Sequence, residues 1–181
     1  MLLRNFFRKR RLRRDASTLG TGLIPLRDIT NITVLMDAGA EDFTECREAI
    51  TAYCAGCGIE VNFTYSDFRK FNGGDKPGGE NRDTVFRSCL NWYGKPYARK
   101  TPAVLILPCD LFICLTGSDR YCIEYISVSV KSRFKIGRIP FSSCPYDIVV
   151  SSPSRERDGA GSGAEQLETF KTITAFLEKI D

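Results

Sequence analysis

Apolar and polar positions alternate between strand-like and helix-like rhythms from residue 28 onward. ITVLMDAGAED begins as a run broken only by Thr33, which predicts a buried strand from Ile32 to Asp37 ending in a small-residue turn. EDFTECREAITAYCAG then sets Phe43, Ala49, Ile50 and Tyr53 at helical spacing, with Gly56 and Gly58 as stops. In IEVNFTYSDF, Val61, Phe63 and Tyr65 occupy every second position, the mark of a second strand. FNGGDKPGGENRD has five glycines or prolines within residues 73–79, so residues 72–83 are expected to form a mobile surface loop.

TVFRSCLNWYGKPYARKTPAVLILP fits two short strands, or a strand and a helical turn. CDLFICLTGSD is clearer. Its run from Leu111 to Leu115 suits a central strand covered on both faces. YCIEYISVSVKSR predicts a buried helix with Ile123, Ile126, Val130 and either Tyr125 or Cys122 turned inward. RFKIGRIPF and YDIVVSS predict two further short strands, and a charged, then Gly/Ser-rich loop at 152–164 is expected to be mobile. AEQLETFKTITAFLEKID closes as an amphipathic helix with Leu167, Phe170, Ile173, Thr174 and Leu177 on one face. This order predicts one α/β domain over residues 28–181, Rossmann-like or flavodoxin-like, with a mainly parallel sheet between helices. Residues 1–27 are expected to be a basic amphipathic segment and linker.

Composition adds a charge division. The 181 residues have a formal net charge of +4, yet MLLRNFFRKRRLRR alone carries seven basic side chains and no acid. Residues 15–181 are left with 19 basic groups against 22 acidic ones, a net of −3. Nucleic-acid-binding domains spread basic groups over the folded surface, and this body does not. With no histidine anywhere, Ser-His-Asp and Cys-His catalysis and most transition-metal sites are excluded. Of eight cysteines, Cys89, Cys109, Cys114 and Cys122 sit in or beside apolar runs, so reduced thiols in a cytoplasmic protein are expected. Cys54 and Cys57 have redox spacing but fall at a helix C-terminus, where the dipole raises a thiol pKa. No apolar run reaches the ~20 residues of a spanning helix, and no secretory leader is evident. No GxGxxG or Walker lysine is present, so no cofactor and no metal are expected.

The second half resembles a group of small uncharacterised α/β proteins of Bacteroidetes-type bacteria. The matching stretches are NWYGKP at 91–96, CDLFICL at 109–115, SRFKIGR at 132–138, YDIVV at 146–150 and the final helix. This resemblance implies the fold and a bacterial source, and it carries no activity. The strand–helix–strand pattern around CDLFICL and SRFKIGR is also distantly similar to the N-terminal half of heptosyltransferase-like glycosyltransferases. That likeness implies an acceptor-side scaffold without the donor half.

Ligands of open α/β sheets collect beyond the carboxyl ends of the strands. Three such ends are Asp37-Ala38-Gly39-Ala40, Thr116-Gly117-Ser118-Asp119 and Ser151-Ser152. The second has hydroxyls, a glycine and a following helix N-terminus, the makings of a cradle for a phosphorylated ligand. Helix capping by Ser118 or Asp119, and by Asp37 at the first end, explains these residues equally. Trp92 and Lys95 in the turn Trp-Tyr-Gly-Lys-Pro suit a sugar or phosphate contact, or a clamp on the core. Arg133 and Lys135, with Lys131, alternate with Phe134 and Ile136. They suit a strand's solvent side, as edge protection or as a phosphate or lipid-headgroup patch.

The N-terminal stretch is expected to be an attachment element. On a helix, Leu2, Leu3, Phe6 and Phe7 form an apolar stripe amid Arg4, Arg8, Lys9, Arg10, Arg11, Arg13 and Arg14. Such a segment can lie on an anionic membrane surface at ~1 kcal/mol per basic residue. Packing on its own domain or on a partner protein, and nucleic-acid contact through the arginines, stand beside that reading. The functional expectation is a non-enzymatic binding or scaffold protein, peripheral to the cytoplasmic membrane face. A small enzyme or glycosyltransferase-half remnant for a sugar phosphate or nucleotide sugar is the first alternative, and a nucleic-acid-associated protein the second.

Overall fold

The computed structural model describes residues 2–69, 82–150 and 165–180. The expected mobile loops at 72–83 and 152–164 fall largely outside these residues, as does the strand end Ser151-Ser152. Six strands are described: β1 (Asn31–Asp37), β2 (Glu60–Asp67), β3 (Thr84–Phe86), β4 (Cys109–Cys114), β5 (Ser132–Gly137) and β6 (Ile148–Val149). The helices are α1 (Leu2–Asp15), α2 (Phe43–Cys57), α3 (Tyr121–Ser129) and α4 (Glu165–Leu177). The strands form one sheet in the order β3-β2-β1-β4-β5-β6, parallel at every pairing. That is the Rossmann-like order, with the chain reversing its direction of travel between β1 and β4.

The apolar runs are explained by two covered faces. Along β4, Leu111 and Ile113 join one core cluster while Phe112 and Cys114 join the other, all within 1% of full burial. The first cluster is closed by α2 and α4 through Cys46, Ile50, Phe170, Ile173 and Leu177. The second is closed by α3 through Cys122, Ile123, Ile126 and the following Val130. Register continues the layers across the sheet: Val34 lies beside Ile113, and Ile113 beside Ile136. A parallel sheet covered in this way has no wet face, so its central strands lose period-two alternation.

Two sequence-level ambiguities are settled by packing. The stretch from Thr84 to Leu105 forms only the three-residue β3, followed by three short 3₁₀ turns. Tyr125 turns away from the sheet toward α1, while Cys122 faces the core. Lys135 corrects the expectation of a solvent-facing strand residue. Because α3 covers this face of β5, Lys135 is 3% exposed and donates its ammonium to the Ser127 carbonyl at 2.8 Å, near the C-terminus of α3. Burial lowers its pKa from the ordinary lysine value to about 8.

Gly58 ends α2 in the left-handed conformation that a helix stop favours (φ 68°). Cys54, just before it, is buried and Cys57 exposed. Burial, then the neighbouring Cys57, pushes the Cys54 thiol up to about 11, the opposite of what a redox pair needs.

Candidate functional site

β1 and β4 lie side by side, but the chain leaves them toward opposite faces. From β1 it enters α2, and from β4 it enters α3, so the two exits diverge and open a crevice at the carboxyl edge of the sheet. The crevice has a volume of about 400 Å³ and is walled by Asp37, Gly39, Glu41 and Asp42 on one side and Gly117 and Ser118 on the other. Arg138, Glu165 and Gln166 complete it. The two sequence-predicted strand ends thus meet at one place.

Local bonds set each wall. Asp37 accepts the Gly39 amide at 2.9 Å, folding the turn back on itself. It does not cap α2, whose N-cap is Asp42. Gln166, 1% exposed, accepts the Asp37 amide at 2.8 Å and donates to the Asp37 carbonyl at 3.2 Å. Asp42 Oδ2 accepts the Leu167 amide at 2.8 Å. Two side-chain contacts therefore lock the start of α4 to the exit of β1. On the other wall, Thr116 is buried and accepts the Ser118 amide at 3.2 Å. Ser118 in turn accepts the Arg120 amide at 3.4 Å, and Arg120, not Ser118 or Asp119, is the N-cap of α3. Asp119 is exposed and does not line the crevice.

The electrostatics are acidic. Arg138 pairs with Glu165 and lies so close to Gly117 that a Cβ there would be 3.1 Å from its Nη1. Arg69, whose side chain reaches Gly39, forms a 2.7 Å ion pair with Asp67. Burial raises the Asp67 carboxyl, but its bonds with Arg69 outweigh that and hold it below the ordinary range. Each arginine thus has a carboxylate of its own, while Asp37, Glu41 and Asp42 add three further negative charges.

Sequence reasoning missed Glu165 and Gln166, because α4 returns to β1 from 129 residues away, and it missed Asp42, whose burial comes with the bond it accepts from Leu167 of that helix. The remaining ligand candidates lie elsewhere. Arg133 forms a 3.1 Å ion pair with Asp110 near the amino ends of the strands, and Lys135 is engaged with α3. Trp92 and Lys95 belong to the docking surface of α1.

That docking surface uses one edge of the basic helix. Phe7 packs against Trp92 and Tyr93 at centroid distances of 5.6 and 6.3 Å. Arg8 donates to the Tyr93 carbonyl at 2.7 Å and lies 4.6 Å over the Tyr121 ring. Burial, then nearby Arg4, lowers its pKa from the arginine value. Asp15 accepts Lys95 at 2.5 Å and the Tyr125 hydroxyl at 2.9 Å. The opposite edge is bare: Leu2, Leu3 and Phe6 are 89%, 66% and 58% exposed, and Arg4, Lys9, Arg10, Arg13 and Arg14 are also exposed. Arg11 stays half-buried, 3.9 Å from Asp15.

No helix among the described residues is long and apolar enough to cross a membrane. Comparison with curated proteins and with solved structures gives no match. A family model does match, over residues 3–159, so both the basic helix and the crevice-forming sheet fall within it. The chain belongs to a family of unknown function, DUF6913.

Proposed function

We propose that this chain is a non-enzymatic peripheral binding protein that seats the bare edge of α1 on an anionic membrane, at the cytoplasmic face. The observation that carries the reading is the division of α1 into two edges. Phe7, Arg8 and Asp15 tie the helix to the domain, while Leu2, Phe6, Lys9 and Arg13 run along the exposed edge at helical spacing. The apolar tip suits the acyl boundary and the basic half suits phosphate headgroups. Each basic side chain near an anionic surface contributes ~1 kcal/mol. Exposed Trp92 beside Phe7 adds a ring of the kind that settles at the headgroup level.

Flotation of the full chain with phosphatidylglycerol-containing vesicles and with neutral vesicles tests this. Binding is expected only to the anionic vesicles, weakened by Phe6→Ser and abolished by Lys9→Glu with Arg13→Glu. Equal flotation of all variants, or none with either vesicle, overturns it. RNA retention that depends on Lys9 and Arg13 but ignores Phe6 would favour the nucleic-acid reading instead.

A second reading, a bacterial glycosyltransferase-half remnant for a sugar phosphate or nucleotide sugar, draws support from the Rossmann-like strand order. The three added carboxylates of the crevice oppose a phosphate there.

A further inference from the structure

We infer that the crevice between the ends of β1 and β4 binds a small organic cation, an amine or guanidinium compound. Three observations converge. The crevice stands at the topological switch point, where open α/β sheets hold their ligands. Among the described residues, the two neighbouring arginines are paired with Asp67 and Glu165, and Arg69 is also drawn to Asp37, which leaves Glu41 and Asp42 to tip the field toward negative. Asp42 is the decisive one. It lines the crevice at 6% exposure, Oδ2 accepts the Leu167 amide, and Oδ1 is buried with no hydrogen-bond partner among the described residues.

A buried carboxylate with one bare oxygen and no counter-ion is costly, and it acts through a medium that screens charge poorly. A cation entering beside it supplies the missing charge. The walls also suit a donor-rich visitor, since Asp37 and Glu41 offer carboxylate oxygens. This inference is independent of the membrane reading, because α1 contributes no residue to the crevice.

The test is an NMR titration of the ¹⁵N-labelled full chain with agmatine, with cadaverine, and with glucose 1-phosphate. Saturable shifts centred on the Gly39, Gly117 and Ser118 amides are expected with the two cations. Glu41→Gln, at an exposed position, should weaken binding about fivefold, and Asp42→Asn about tenfold or more. If Asp42→Asn does not fold, Glu41→Gln decides alone. No saturation by about 10 mM, affinity unchanged in the variants, or tighter binding of the phosphate overturns the inference.

Discussion

Tyr125 donates its hydroxyl to Asp15 at 2.9 Å, so the last residue of the basic helix is held by the helix it packs on. The same carboxylate oxygen receives Lys95, whose ammonium also lies 4.8 Å over the Tyr125 ring. An otherwise cationic helix is thus fastened through its one acid. Burial raises the Asp15 carboxyl, but bonds from Lys95, Arg14 and Tyr125 more than offset it and hold the pKa below the ordinary value.

Asp15→Asn should loosen α1 at a cost of about 1.5–3 kcal/mol, the range for hydrogen bonds to a charged group. Faster tryptic cleavage among Arg8 to Arg14 with little change in global unfolding is the expected signature. For this depressed carboxyl the contribution is present above its unfolded pKa and lost as pH falls through the lower folded one. Wild type should therefore keep its protection at pH 5 and lose it only in stronger acid.

Lys135 gives a stability effect of the same slope, in the alkaline range instead of the acid one. Its folded pKa of about 8 lies below the ordinary 10.5, so the unfolded chain binds more protons between those values. Stability from this group should rise with pH across that window and be depressed by ~3 kcal/mol below it. In urea unfolding, wild type should gain about 2 kcal/mol on Lys135→Met between pH 7 and pH 10. A constant difference would show the ammonium to be well solvated.

Gly137 is a packing position. A methyl group there would overlap the Tyr146 ring, which cannot swing aside freely because its hydroxyl is 2.7 Å from Ser127 Oγ. Gly137→Ala should cost about 2–3 kcal/mol in chemical denaturation, as overpacking does. Tyr146→Leu in the same background should recover part of the loss.

Thiol chemistry should follow burial. Cys57 and Cys144 are exposed and the other six cysteines buried. Burial pushes Cys46 up to about 12 and Cys114 and Cys122 up to about 11. Iodoacetamide at pH 8 should label only the two exposed thiols until denaturant is added. Rapid native labelling of Cys54 would instead revive a redox role for the Cys54–Cys57 pair.

The layered fold was legible because its signals are local. LFICL has no polar position to present to water, so a strand covered on both faces is the environment that suits it. The helix stop at Gly58 and the apolar face of α4 are likewise written within single segments. Half of the crevice was legible for the same reason, since the turns after β1 and β4 end strands in plain view. Its sign was not. Thr116, Gly117 and Ser118 suggest an anion cradle until the fold sets Asp37, Glu41 and Asp42 across from them and α4 adds Glu165.

By itself the sequence determined the strands and helices, the excess of arginine at one end and the lack of imidazole chemistry, because each depends on composition or on neighbours a few positions apart. Tertiary structure decided that Lys135 is buried, that α1 turns Phe7 inward and Phe6 outward, and that the crevice is acidic. The reason is range. Charge and burial at these places are sums over groups up to 129 residues apart, and only the folded chain fixes which of them meet.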